Sequence, residues 1–241
     1  MIQVTNLTKR YGSKIALDDI SFSVGAGDVA GLLGLNGAGK TTTMNILTGY
    51  ISATSGDVLI GGFNIASEGS KAKSLIGYLP ELPAFYPEMR VNEHLDFICG
   101  IKGLFKNKKE RAEHIDGICA RVGLSDVKKR MVRNLSKGYR QRVGFAQALV
   151  GDPNVIILDE PTAGLDPSQI IEIRNLIKEC GKKSTVIVSS HILSEIQTVC
   201  NRIIVINEGR LVADGTPDDL TGGGSLEEVF LRLIGLERGA S

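Results

Sequence analysis

Residues 29–49 read "VAGLLGLNGAGKTTTMNILTG": an apolar run that breaks into three closely spaced glycines, then one lysine and three threonines, then an apolar helical pattern. Glycine lets a chain adopt conformations that other residues reach only with strain, and lets backbone approach a ligand closely. Gly34, Leu35, Asn36, Gly37, Ala38, Gly39, Lys40 and Thr41 fill the spacing G-x-x-x-x-G-K-T, with Thr42 following. Such a loop turns successive N–H groups inward, so it can cradle phosphate oxygens. A helix beginning at about Gly39 adds its positive dipole end to the same spot. Lys40 can reach the outer phosphates, and the Thr41 hydroxyl can bind a magnesium ion. A glycine-rich turn that merely joins a strand to a helix is the plainer reading. The complete pattern lies between a buried-strand run, Val29 to Leu33, and a helix, which is the context the motif requires. It reads as a site for a nucleoside triphosphate.

Composition bounds the rest. A chain of 241 residues suits one large α/β domain, or one domain with a subdomain. Apolar residues make up 42%, enough for a sizeable core, and charged residues 23%, ordinary for a soluble protein. The net charge of +1 makes no global electrostatic case for nucleic acid or an acidic membrane, and no nucleic-acid partner is expected. The local basic clusters (Lys106, Lys108, Lys109, Arg111; Lys128 to Arg130) read as solvated helix faces. Cys99, Cys119, Cys180 and Cys200 form no C-x-x-C pair and have apolar neighbours, as buried thiols in a reducing compartment do. No run approaches ~18 consecutive apolar residues, the length a spanning helix needs. The opening "MIQVTNLTKRYG" has no apolar core of a signal peptide. A cytosolic chain is expected.

Residues 1–28 alternate apolar and polar, as in "MIQVTNLT" and "ISFSVGAGD", and read as half-exposed strands; "SGDVLIGGFNI" (Ser55 to Ile65) repeats that style. From about Pro83 the period changes. Val91, Leu95, Ile98 and Cys99 recur at helical spacing, as do Ala112, Ile115, Ile118 and Val122, so residues 84–134 read as a helical insertion. Short, apolar, β-branched runs then resume at Val155–Leu158, Thr185–Val188 and Ile203–Ile206, as in strands buried on both faces of a parallel sheet. Helical segments at 137–150, 167–180 and 191–199 separate them, giving alternating β and α units. Gly222 to Gly224 reads as a break before a last amphipathic helix, Leu226 to Leu236. The domain expectation is a nucleotide-binding core over 1–83 and 135–221, a helical subdomain over 84–134 and a C-terminal tail over 222–241.

"NVIILDEP" places Asp159 and Glu160 at the C-terminal end of a buried strand, where α/β folds put their ligands. Asp159 would hold magnesium, directly or through water, and Glu160 could polarise an attacking water as general base. Two carboxylates after a strand could also be a plain strand-end cap. Following a phosphate loop in the same chain, they read as part of one site.

Between loop and carboxylates lies "LSKGYRQRVGFAQALVGDP", beginning at Leu135. With it, nearly the whole chain resembles the ATP-binding subunit of ABC transporters, whose signature is L-S-G-G-Q; here the residues are Leu135, Ser136, Lys137, Gly138 and Tyr139. The resemblance implies that Ser136 and Gly138 form a phosphate-binding helix start for a second nucleotide site. "AGLDP" (Ala163 to Pro167) resembles the family's D-loop, with Asp166 at its centre. "SSHI" (Ser189 to Ile192) resembles the switch region, with His191 near the terminal phosphate, and Tyr11 in "TKRYG" resembles the aromatic that stacks on adenine. Where the family usually has a glutamine that contacts magnesium and the attacking water, this chain has Glu81, in "IGYLPELP". Lys137 could add a cation near phosphate or point into solvent. "YLPE" with "LSKGYRQRV" looks most like the subunits of ABC-2-type systems, commonly exporters.

The resemblance implies an α/β P-loop NTPase fold with a mostly parallel sheet, an antiparallel β subdomain and a helical subdomain. It implies an ATPase using ATP and Mg²⁺, with Lys40, Glu160 and His191 catalytic and Thr41, Asp159 and Glu81 on the metal. The implied partners are a transmembrane permease subunit and a second ATP-binding subunit, identical or not, on the cytoplasmic face of the membrane. In that family a membrane-subunit helix docks near residues 84–134, for which Phe85, Tyr86 and Met89 are candidate contacts, unless they are buried within the lobe. The alternatives are an importer ATPase subunit and a soluble ABC-type ATPase acting on nucleic acid or ribosomes; the long coiled-coil insertion or duplicated cassette typical of the latter is not seen.

Overall fold

The computed structural model describes residues 1–235. The elements run β1 (Ile2–Tyr11), β2 (Lys14–Val24), β3 (Val29–Leu33), α1 (Lys40–Leu47), β4 (Ser55–Ile60), β5 (Phe63–Asn64), α2 (Gly69–Ser74), β6 (Ile76–Leu79), α3 (Val91–Ile101) and α4 (Lys108–Arg121). They continue as α5 (Lys137–Leu149), β7 (Val155–Asp159), α6 (Pro167–Gly181), β8 (Thr185–Ser190), α7 (Leu193–Val199), β9 (Arg202–Asn207), β10 (Arg210–Gly215), α8 (Pro217–Thr221) and α9 (Leu226–Leu233).

Two sheets form. The alternating N-terminal strands make an antiparallel sheet in the order β2-β1-β4-β5. The continuous apolar strands make a second sheet, β10-β9-β3-β8-β7-β6, parallel except for the β9–β10 hairpin. Side chains of a strand alternate between faces, and the two cores divide accordingly. Ala30, Leu32, Ile157 and Ile187 pack with Met44 of α1 and with Ile2, Val4 and Leu7 of the antiparallel sheet. Val29, Leu33, Ile156, Leu158, Val186 and Val188 face the other way, onto α5, α6, α7 and the α3–α4 pair. Both faces of the parallel sheet are thus buried, which is why its strands carry no polar alternation.

The fold class matches the sequence expectation, and the element boundaries differ by small amounts. The helix expected over 191–199 begins at Leu193, because Ser190 to Ile192 form the exit from β8. The last helix runs to Leu233; Leu236, expected to end it, lies outside the described residues. On α4 the buried stripe is Ile115, Ile118, Cys119 and Val122, whereas Ala112 is exposed. The helix itself includes Ala112, as the spacing predicts. All four cysteines are buried free thiols. Among the described residues no helix is long and apolar enough to cross a membrane.

Registry decides where chemistry can gather. Leu33 pairs with Ser190 across β3 and β8, Asp159 with Ser189 across β7 and β8, and Leu79 with Leu158 across β6 and β7. Four strands therefore end at one edge of the sheet, and the loops that follow them meet.

Candidate active site

At that edge lies a cleft of about 670 Å³ whose lining includes Tyr11, Lys40, Thr41, Glu81, Glu160 and His191. Its floor is the loop between β3 and α1. Gly39 precedes the helix at φ 114°, in a region that L side chains rarely adopt, and an added Cβ would lie 2.7 Å from Leu17 Cδ2. The first turn of α1 contains no acidic residue, so its N–H groups and dipole present positive charge to the cleft. Lys40 curls back over the loop, donating to the carbonyls of Gly34 at 2.8 Å and Leu35 at 3.2 Å. Burial lowers its pKa, while Glu160, Asp159 and Glu81 pull it back up.

The carboxylates come from β7. Asp159 is 1% exposed and accepts the Ser189 hydroxyl at 2.5 Å. Burial raises its pKa; the Ser189 hydrogen bond, Lys40 and a hydrogen bond with Thr41 oppose that rise, and Glu81 adds to it. Glu160 is held at φ 48°, a left-handed conformation stored at the strand exit. Its N–H donates to Ser189 Oγ at 2.9 Å, and its carbonyl accepts from Ala163 N at 3.1 Å. Glu160 Oε1 lies 3.9 Å from Lys40 Nζ, and Oε2 lies 2.9 Å from His191 Nδ1. One carboxylate thus faces the loop lysine on one side and the switch-region histidine on the other.

A metal ion has a matching but incomplete set of ligands. Thr41 and Asp159 bring a hydroxyl and a carboxylate into hydrogen-bonding contact, and both line a groove that Glu81 shares. Among the described residues no group of three or more His, Cys, Asp or Glu could hold a metal by itself. Such a donor set suits Mg²⁺, which is commonly bound by one or two carboxylates with phosphate oxygens and waters supplying the rest.

Of the remaining sequence candidates, Asn36, Gly37 and Thr42 line the same cleft. Leu35, Asn36, Gly37, Ala38 and Thr42 follow the loop and the first turn of α1. Ser136 caps α5, accepting from Tyr139 N at 3.4 Å, and Asp166 caps α6, accepting from Gln169 N at 3.0 Å. Ser136, Gly138 and Asp166 are not among the residues lining the cleft. Gly138 is needed for close approach, since a Cβ there would overlap the Gln169 side chain. Lys137 is exposed, as one of the two sequence alternatives has it, and its ammonium lies next to Gly164 of the loop before α6. Of the three docking candidates, Phe85 is half-buried and stacks edge-on against the buried His94, with ring centroids 5.6 Å apart, and Met89 is half-buried. Part of the Phe85 apolar surface is thus engaged within the chain, and part faces outward. Tyr86 leans on Phe97 but stays half exposed, while Leu82 is 85% and Tyr50 80% exposed.

Ser189, and Lys14, Ile15, Ala16, Glu208 and Gly209 of the cleft wall, join the site without a sequence motif of their own. Those walls are the start of β2 and the β9–β10 turn. The Asp18 N–H donates to Gly209 O at 2.8 Å and the Gly209 N–H to Ala38 O at 2.9 Å, tying β2 and the β9–β10 turn to the phosphate-type loop.

Residues 17–163 match the family model described as ABC transporter. The chain is 42% identical over 215 residues to an uncharacterised ABC transporter ATP-binding protein, YhcH, of Bacillus subtilis, covering 88% of this chain and 68% of that one. It is 41% identical over 216 residues to the bacitracin transport ATP-binding protein BcrA of Bacillus licheniformis, covering 89% and 69%. To the linearmycin resistance ATP-binding protein LnrL of Bacillus subtilis it is 38% identical over 223 residues, covering 91% and 70%. A solved ATP-binding subunit of an ABC transporter superposes with a TM-score of 0.88 at 29% identity, covering 97% of this chain and 99% of that one. A dimeric bacterial ABC transporter cassette gives 0.82 at 25% identity, covering 90% and 98%.

Proposed function

The chain belongs to the ABC transporter family as an ATP-binding, ATP-hydrolysing subunit, and from that premise we propose how its residues divide the work and what they drive. The observation that carries the reading is the Glu160 carboxylate held between Lys40 and His191, at the mouth of a loop shaped for phosphate. Lys40 and the loop N–H groups bind the outer phosphates of ATP, and Tyr11, half exposed at the cleft rim, stacks on the adenine. Glu160 takes the proton of the attacking water, and His191 orients that carboxylate. Thr41 and Asp159 would hold Mg²⁺, with Glu81 as a further oxygen ligand; when bound, the ion supplies charge neutralisation on the phosphates.

The signature residues Ser136 and Gly138 and the D-loop Asp166 lie away from their own cleft, which supports a head-to-tail dimer in which each chain completes its partner's site. The dimeric arrangement of the cassette with a TM-score of 0.82 supports the same reading. The bacitracin-transport and linearmycin-resistance relatives favour export through a separate transmembrane subunit, on its cytoplasmic side. The docking surface is the groove of about 610 Å³ between α1, β6 and α3, where the exposed Tyr50 and Leu82 lie beside Glu81. Replacing Leu82 and Tyr50 by glutamate is expected to remove the protein from the membrane fraction of its host cells while leaving basal ATPase activity near wild type. Unchanged membrane recruitment of the double variant would contradict the docking reading.

A further inference from the structure

Glu195 is a buried carboxylate that the hydrolytic cluster leaves unused. It lies in the first turn of α7 and is 6% exposed. Its Oε2 accepts the Thr162 hydroxyl at 2.6 Å and the Ser190 hydroxyl at 3.1 Å. Its Oε1 lies 3.8 Å from Arg174 Nη2 on α6. Ser190 Oγ in turn accepts the Ile192 N–H at 3.0 Å. A carboxylate removed from water needs partners of this kind, but the choice of partners is informative. Thr162 follows Glu160 by two residues, and Ser190 immediately precedes His191. One oxygen therefore grips both segments that carry the 2.9 Å Glu160–His191 contact.

The grip matters because Glu160 sits at φ 48°. Strained backbone persists only where its surroundings over-determine it. Ser189 holds Glu160 from the strand side, through the N–H. Glu195 holds the turn on the far side, through Thr162. We propose that Glu195 is a positioning residue for hydrolysis: its Oε2, by fixing Thr162 and Ser190 together, keeps Glu160 and His191 in register. This rests on the reading that Glu160 and His191 act in hydrolysis. The two hydroxyls require an acceptor oxygen, which glutamine supplies and leucine does not, while the pairing with Arg174 is given up in both.

The test is steady-state MgATP hydrolysis by the full chain, comparing Glu195→Gln, Glu195→Leu, Thr162→Val and Glu160→Gln. Glu195→Leu is expected to lower kcat roughly 10²-fold, the scale of a misplacement of about 1 Å, with KM for ATP near wild type. Glu195→Gln is expected to restore most of kcat. A merely structural role would instead lower the folded fraction with no selective loss of kcat, and would not distinguish glutamine from leucine. Combining Thr162→Val with Glu195→Leu is expected to do little more damage than the worse single change, since both break one contact. If Glu195→Leu does not fold, Thr162→Val must by itself lower kcat selectively, and wild-type kcat in that variant overturns the proposal. Equal loss in Glu195→Gln and Glu195→Leu also overturns it. Wild-type kcat in Glu160→Gln would overturn the underlying hydrolytic reading; loss there with wild-type kcat in Glu195→Leu would overturn only the role of Glu195.

Discussion

Replacing Asp159 by asparagine is expected to stabilise the protein while removing its magnesium-dependent turnover. The side chain is 1% exposed, and burial is the largest influence on its titration. Lys40, Ser189 and Thr41 offset that influence only in part, because the net shift is still upward from 3.8. A folded-state pKa above the unfolded one means that the stability linked to this group is fully present below about pH 3.8 and is lost as pH rises through the folded value. Above the folded value the native state carries a buried charge that the unfolded chain hydrates freely. Asparagine keeps an oxygen to accept the Ser189 hydroxyl and carries no charge. Relief of strain at a functional site commonly amounts to about 1 kcal/mol, or roughly 2–4 °C in melting temperature for a chain of this size. Thermal unfolding of both proteins from pH 4 to 8, without nucleotide and with magnesium chelated, measures the difference. It is expected near zero at the acid end and growing with pH. A less stable variant at neutral pH, or a difference independent of pH, would refute the reasoning.

Lys40→Ala removes a cation that can make charge-assisted hydrogen bonds to phosphate, worth about 1.5–3 kcal/mol, so ATP affinity by fluorescence titration is expected to fall roughly 10–10²-fold and turnover to vanish. Glu81→Gln is expected to keep ATPase activity, because it retains an oxygen ligand, whereas Glu81→Ala loses activity and needs more magnesium; assaying both across a magnesium series checks this, and equal retention would remove Glu81 from the metal site. Tyr11→Ala is expected to raise KM for ATP by roughly 10-fold or more, the scale of one base–aromatic stack of about 1–3 kcal/mol, with kcat little changed.

The parts of the site that were legible in the sequence are those written in consecutive residues. The loop from Gly34 to Thr41 declares itself by spacing, and Asp159 with Glu160 by their place after four apolar residues. Parallel strands buried on both faces carry no alternation, so β3, β7, β8 and β9 stood out against the alternating N-terminal strands. The rest depends on pairings across long separations. The β9–β10 turn reaches the phosphate-type loop through Gly209 and Ala38, and nothing local to "NEGR" announces it. Ser189 gained its place because the registry of β7 and β8 sets it opposite Asp159. Phe85 was ambiguous in sequence, since an aromatic in a loop reads the same whether its partner is another chain or His94 of its own. Ala112 fits the helical period but lies a turn beyond the surface that α4 packs against.

The assignment of the Glu160 carboxylate as the base of an ATP-driven dimer is tested most directly by one measurement on Glu160→Gln: ATP turnover, read alongside molar mass in MgATP by size-exclusion chromatography with light scattering. Glutamine keeps the side-chain shape and cannot take the proton. Turnover is expected to fall roughly 10²–10⁴-fold, with ATP still bound and the protein accumulating as a dimer. Wild-type turnover in this variant would contradict the central reading of the site.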